Sequence, residues 1–496
     1  MNTRTFKTKS ALGAAAAFIA LALCGTACAE VVTDWNRKHF AMVNRPEPSS
    51  AGESLSGVAV LDDWGNRITS LGVAVRENAL RTQVRTTIAQ LAMFDAVNAV
   101  LDGNFEPFAS KPDAAPGASP EAAAIRAAYI VALHEFPSQA GNIDAAYANS
   151  IAGLSASPEA IEAGVVVGEA AANAVLAKRE GDNRNLPDLT GYTPGSGPGV
   201  WTPTPPTFAA PQTPFLQFVT PFGYDDPTRF RPIAPPALDS STYTADYLEI
   251  KDYGASNSPS RTAEQSVTAL FWSGSASALW SANVRSLAAS MDILTAARFE
   301  ALGIAAVTNG LIASWDSKFH YMFWRPVSAI RAGDTDGNPQ TEADPEWTPF
   351  IVTPSHPEYI AAHSVVGAST TGFYTVWFGT DHFPLDFKGT GGAVRHYESV
   401  DDIHAEESNA RVWGGMHWRQ STEVGTRSGT RVGHYTATHL LKELSDTLSQ
   451  TTAPSATSCA PTRAFRRQWM RHLTRASTAA CTSARPAGRG VCWACR

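Results

Sequence analysis

The chain has 496 residues, 44% of them hydrophobic and 17% charged, with a net charge of −7. That length and apolar share suffice for a large buried core and exclude a disordered or low-complexity protein. Eight arginines and no acid lie from Cys459 onward and three cations precede Ala11, so the body between carries −18, which argues against nucleic acid as a partner.

The chain opens with Arg4, Lys7 and Lys9, then an apolar run from Ala11 to Leu23, then Ala27-Cys28-Ala29 before Glu30. This is the pattern of a secretory leader over residues 1–29, and its apolar run is too short to span a bilayer. A periplasmic or secreted protein with no transmembrane span is expected. The four cysteines beyond the leader all lie at or after Cys459, so the fold between rests on packing and not on disulfides. Cys492-Trp-Ala-Cys495 has no strand–helix context that would make it a redox pair. Residues 451–496, rich in Ala, Ser, Thr and Arg, read as a disordered basic tail.

Residues 30–450 read as one mostly helical domain, with its N-terminal helices over about 79–180. Ala79 to Val100 carries apolar residues at helical spacing. Ser119-Pro120-Glu121 and Ser157-Pro158-Glu159 each place a cap, a first-turn proline and an acid, opening helices to about Phe136 and Lys178. Asp95 and Asn98 are expected to pair within the core or with a loop. Residues 182–240 are rich in Pro, Gly and Thr, and so long a loop in a compact domain wraps a surface or serves a function. Arg261-Thr262-Ala263-Glu264 begins a further helix, and Ala276 to Ser314 supplies one or two more within the C-terminal part, about 260–445. Asp334-Thr-Asp336-Gly-Asn338 reads as a plain turn.

Three pieces then stand out: WDSKFHYMFWRP (315–326), PSHPEYIAAHS (354–364) and ARVWGGMHWR (410–419). Lys318 and Arg325 are seven apart, two helical turns, and would share one helix face. Arg411 and His417 are six apart with Gly414-Gly415 between them, which favours a distorted turn over an ideal helix. Three cations and two imidazoles without nearby acidic partners require a counter-charge. A tetrahedral oxyanion supplies one, with acceptor oxygens that match the arginine fork.

In this order the pieces resemble the superfamily that joins vanadium-dependent haloperoxidases and type-2 phosphatidic acid phosphatases, whose pattern is K-x6-R-P, P-S-G-H and S-R-x5-H. Lys318, Arg325 and Pro326 match the first part, His363 the histidine of the second, and Arg411 and His417 the third. Ala361 and Ala362 stand for the Ser and Gly of the second part, which removes a hydroxyl but leaves the Ala362 N–H. Ser421 stands where phosphatases carry the Asp that orients their nucleophilic histidine, and an unoriented imidazole is a poorer nucleophile.

The resemblance implies an all-α fold of helical bundles with a long Pro-rich wrap. It implies vanadate as cofactor, with phosphate able to take the same site. His417 would bind the metal, Lys318, Arg325, Arg411 and the Ala362 N–H would hold its oxygens, and His363 would act as acid–base catalyst, with Lys318 hydrogen-bonding peroxide. Trp315 and His356 would line the halide side, His356 also serving catalysis, and the pair leans toward bromide or iodide. The expected partners are hydrogen peroxide, halide and small organic acceptors, and a homodimer is compatible with the resemblance. An acid phosphatase acting through a phosphohistidine, and a non-catalytic phosphate-binding protein, are the alternatives. His320, His396, His404 and His434 match no motif position and are expected to be structural.

Overall fold

The computed structural model of the chain describes residues 57–444. The leader and the basic tail lie outside the described residues. The described fold is helical, apart from one small hairpin and its connecting loops.

The first half is a bundle of α1 (Val58–Ala74), α2 (Ala79–Val100), α3 (Pro120–Glu135), α4 (Ala140–Ala152) and α5 (Pro158–Lys178). Their starts follow from capping chemistry. Asn78, Ser119 and Ser157 each accept a hydrogen bond from a first-turn N–H, and Pro120 and Pro158 stand at the first helical position. α1 and α4 are not anticipated by the sequence patterns above. Asp95 accepts from the N–H groups of Phe108, Ala109 and Ser110, and Asn98 donates to the Phe105 carbonyl, so both pin the loop after α2. Among the described residues, α5 is the one helix long and apolar enough to cross a membrane by length and composition. Here it packs against α3 and α2.

The second half contains α6 (Ser241–Tyr253), α7 (Ala263–Phe271), α8 (Ala276–Ala288), α9 (Ile293–Tyr321), the short α10 (Pro326–Arg331), α11 (Ala362–Phe378), α12 (Val400–Trp413) and α13 (Arg419–His439). Between α11 and α12, β1 (Leu385–Lys388) pairs antiparallel with β2 (Val394–Tyr397), Leu385 opposite Tyr397. α9 is 29 residues long and buried along nearly its whole length, so it forms the axis on which both halves pack. α11 lies close against α13 because glycines face it. A Cβ at Gly429 would stand 2.3 Å from the Val365 carbonyl oxygen, and one at Gly433 would stand 2.0 Å from that of Ser369. Neither approach leaves room for a side chain.

The long Pro-rich segment is an ordered wrap. Trp201 N–H donates to the Met322 carbonyl (2.6 Å), Trp324 N–H to Gly199 (3.0 Å) and Gln212 N–H to Ser355 (2.7 Å). The hydroxyls of Tyr321 and Tyr359 donate back to the carbonyls of Pro232 and Ile233. The wrap therefore clamps the two segments that carry the first and second sequence motifs. The Asp336 carboxylate accepts from Asn338 N–H and the Thr341 hydroxyl, an internal turn.

One expectation fails. Lys318 and Arg325 do not share a helix face. α9 ends at Tyr321, Met322 takes a left-handed conformation (φ 49°), and Arg325 is the extended residue before α10 (φ −82°, ψ 153°). Pro326 is the cause, because its ring disfavours the helical region for the residue before it.

Candidate active site

Lys318 comes from the last turn of α9, Arg325 from the α9–α10 junction, and His356 from the loop before α11. His363 lies in the first turn of α11, Arg411 in the last turn of α12, and His417 in the turn before α13. That turn departs from a helix as Gly414-Gly415 suggested: α12 stops at Trp413 and Gly415 has φ 76°. The six side chains converge. Lys318, Arg325, Arg411 and His417 are at most 1% exposed, and His363 is the least enclosed of the set.

Arg325 is the hub. Its Nε donates to the His356 carbonyl (2.8 Å) and its Nη1 to the Met416 carbonyl (2.9 Å). Nη1 also meets His417 Nε2 (3.2 Å), and Nη2 meets His356 Nδ1 (2.9 Å). A guanidinium only donates, so His417 Nε2 must be an unprotonated acceptor, whereas His356 Nδ1 also meets the Pro357 carbonyl (3.2 Å), which only accepts. His417 is thereby left with its proton on Nδ1, facing Glu358, and a lone pair on Nε2. Lys318 Nζ donates to the carbonyls of Pro357 (3.0 Å) and Glu358 (2.8 Å). Arg411 Nη1 donates to the Trp272 carbonyl (2.8 Å), Nη2 contacts Met416 Sδ (3.2 Å), and Nε is buried without a partner. His363 Nε2 meets the Gly274 carbonyl (2.8 Å), an acceptor only, so neutral His363 keeps its lone pair on Nδ1. Ala362 begins α11, and its N–H is a first-turn donor with no intrahelical partner.

The expectation that no acid lies nearby is corrected. Glu358 is fully buried, and its Oε1 accepts from His417 Nδ1 (2.8 Å) and from Trp418 N–H (3.1 Å). The imidazole of His417 is therefore oriented although Ser421 has no carboxylate. The acid comes from the loop before α11 and not from α13. Glu358 stands in plain view in the sequence as the one acid of His356-Pro-Glu-Tyr-Ile-Ala-Ala. The carbonyls of Trp272, Gly274, Pro357 and Met416 leave no such signal, because every residue carries one.

The electrostatics follow from burial. Burial and Arg325 push the Lys318 ammonium well below its ordinary value. Burial takes Arg325 down to about 10 and Arg411 to about 9. Burial and the neighbouring cations hold His356, His363 and His417 well below the usual imidazole range, hence neutral. Burial lifts Glu358 to about 7 against the pull of Lys318 and Arg325, and it lifts Glu407, on α12 one turn before Arg411, to about 8. Arg325 lowers both Lys318 and Arg411, and few carboxylates balance the set, which fits a multiply charged oxyanion.

Trp315 and His356 lie side by side, ring centroids 5.0 Å apart and tilted 46°. The indole N–H is spent on the Gln212 carbonyl of the wrap (3.1 Å), so Trp315 offers its ring and not a donor. His404 meets the Thr371 hydroxyl, and His396 meets Asp386 and Glu398 at the hairpin surface, away from this cluster.

Comparison with known proteins bears on the fold and on the segment that carries these residues. Residues 298–446 match the VCPO second helical-bundle domain. The chain is 25% identical over 289 residues to the vanadium chloroperoxidase of Curvularia inaequalis, across 42% of this chain and 47% of that protein, so it spans about half the length of that curated relative. The structure of the first bacterial vanadium-dependent iodoperoxidase superposes with a TM-score of 0.67 at 22% identity, covering 81% of this chain and 100% of that one. A holo-type bacterial vanadium-dependent chloroperoxidase superposes with a TM-score of 0.55 at 20% identity, covering 71% and 90%. The likeness read from the three motifs therefore holds: residues 298–446 match that helical-bundle domain, and the fold is similar to that of bacterial vanadium-dependent haloperoxidases.

Proposed function

We propose that the chain is a vanadate-dependent haloperoxidase that oxidises bromide or iodide with hydrogen peroxide to hypohalous acid. The observation that carries this reading is the convergence of three buried cations on a histidine whose Nε2 is unprotonated. The donor set fits vanadate: Lys318, Arg325, Arg411 and the Ala362 N–H would hold oxygens, and His417 Nε2 would hold the metal. The partnerless Nε of Arg411 and the excess of buried cations are what such an anion would satisfy. Bound vanadium would supply Lewis-acid polarisation of peroxide.

The chain's own groups do the rest. His363 Nδ1, neutral and unprotonated, accepts a proton from hydrogen peroxide, with Gly274 holding the ring in place. Lys318 is held by two carbonyls within the cluster and donates to the oxygen on which negative charge grows. His356 sets its imidazole beside the Trp315 ring, a polar group against an apolar wall, suited to a large, weakly hydrated halide. We further propose that the protein is exported to the periplasm or beyond.

A second reading is favoured by one observation. The Glu358–His417 contact gives a phosphatase the oriented nucleophile that Ser421 would deny it. The deciding experiment supplies orthovanadate, peroxide and bromide or iodide, and follows halogenation of a phenolic dye. Turnover that requires vanadate and is lost in His417→Ala supports the haloperoxidase. Hydrolysis of a chromogenic phosphate ester, inhibited by vanadate, with no halogenation, would replace it with the phosphatase. Neither activity, with phosphate still bound, would leave a binding protein.

A further inference from the structure

Glu358 touches both walls of the site. Its carboxylate Oε1 receives the His417 Nδ1–H and the Trp418 N–H, while its backbone carbonyl receives the Lys318 ammonium. Its own N–H donates to the Phe323 carbonyl (2.9 Å), two residues before Arg325. One residue thus ties together the α9–α10 junction that carries Lys318 and Arg325 and the turn that carries His417. A fully buried carboxylate is costly unless something is gained from it. Here it meets an imidazole and not a guanidinium, although Arg325 stands next to that same imidazole.

We propose that Glu358 is a positioning residue that fixes His417 in the Nδ1–H tautomer, aims its Nε2 lone pair into the cation cluster, and raises its basicity as a metal ligand. This rests on the haloperoxidase reading for the identity of the metal, but the tautomer does not depend on it. The physical reason is the geometry of imidazole. Its two nitrogens lie on opposite sides of the ring, so an anionic acceptor at Nδ1 both holds the proton there and sets the direction of Nε2. Arg325 reads the same state from the other side: Nη1 already donates to the Met416 carbonyl, and its second contact, to His417, is a hydrogen bond only if Nε2 is bare.

The effect should separate two oxyanions that the cations alone do not distinguish. Phosphate would be held by hydrogen bonds and charge, whereas vanadate would also take the His417 nitrogen. Loss of the Glu358 charge should therefore weaken vanadate and spare phosphate. Outer partners of metal-bound histidines typically carry about 10–100-fold in affinity.

The test combines nitrogen-15 NMR of histidine-labelled protein with titrations of orthovanadate and orthophosphate. In the wild type His417 should show a protonated Nδ1 and a bare Nε2. In Glu358→Gln the tautomer should persist, since the amide oxygen still accepts, while vanadate affinity falls about tenfold and phosphate affinity stays within about threefold. In Glu358→Leu the tautomer should be lost and vanadate affinity should fall further, toward about 100-fold. A wild-type His417 with its proton on Nε2 would overturn the proposal whether or not any variant folds. An equal fall for both anions in Glu358→Gln would also overturn it, since that is the mark of general structural damage. A wild type that binds vanadate no better than phosphate would sink the haloperoxidase reading, and the tautomer would still decide the role of Glu358.

Discussion

Buried arginines occur in both halves of the molecule, but they are treated differently. In the N-terminal half Arg184 donates to Glu135 (2.8 Å) and Asp182 (2.8 Å), and Arg179 pairs with the same Asp182 (2.8 Å). Burial pulls Arg184 down, yet its carboxylate partners outweigh that and its pKa ends above the ordinary value. Around His417 the guanidiniums of Arg325 and Arg411 meet carbonyls, a sulfur and imidazoles, and both fall below their ordinary value. The first arrangement is complete within the chain. The second leaves positive charge for something else to neutralise; the carboxylate pairing and not the direction of the shift marks the difference, since burial also takes the paired Arg179 below its ordinary value.

The sharpest way to break the comparison is to remove the group that would join the anion covalently. His417→Ala is expected to reduce vanadate-dependent halogenation to background, a loss of at least about 1,000-fold, measured by dye bromination under saturating peroxide. Next, Lys318→Ala is expected to lower vanadate affinity more than His363→Ala does, by roughly tenfold or more, because it removes a buried cation facing the anion. Equal affinities in parallel titrations would contradict the roles assigned to the two residues.

Stability should divide the halves in the opposite sense. Arg184→Leu leaves Asp182 and Glu135 short of a partner, and is expected to cost about 3 kcal/mol in denaturant unfolding. Lys318→Met in anion-free buffer removes a buried ammonium that meets only carbonyls, and is expected to leave the melting temperature unchanged or raise it. Similar losses in the two variants would erase the distinction.

The smallest expected effect concerns Glu300, on α9 in the bundle core. Burial pushes its carboxyl up to about 8 against the pull of Arg285. Its folded value lies above the ordinary 4.5, so the fold binds this proton more tightly than the unfolded chain does. The resulting stabilisation is complete below about pH 4.5 and is lost as pH rises through about 8. The melting temperature is expected to decline by a few degrees across that window, and Glu300→Gln should flatten the decline.

Much of the site is legible in the sequence because its chemistry lies in rare, ordered side chains. Lys318, Arg325, His363, Arg411 and His417 meet, as the ordered motifs lead one to expect. Helical periodicity misleads at Lys318 and Arg325, where Pro326 overrides it. The glycine pair before His417 signals its turn correctly, since Gly415 takes a positive φ that other residues resist. Caps make α3 and α5 visible, whereas α1 and α4 lack a serine or threonine cap with proline behind it and give no such sign. The hairpin Leu385–Tyr397 has two four-residue strands, too short for alternation to register. The role of Glu358 is hidden because a single acid says nothing of its partner until the fold brings His417 to it. The carbonyls that hold Lys318, Arg411 and His363 have no side-chain signature.

The most direct measurement is diffraction from crystals soaked in orthovanadate. One vanadium is expected in the cluster, with His417 Nε2 on the metal and Lys318, Arg325 and Arg411 on its oxygens. A soaked crystal with no vanadium in that cluster, or with vanadium bound elsewhere and these side chains unchanged, would contradict it.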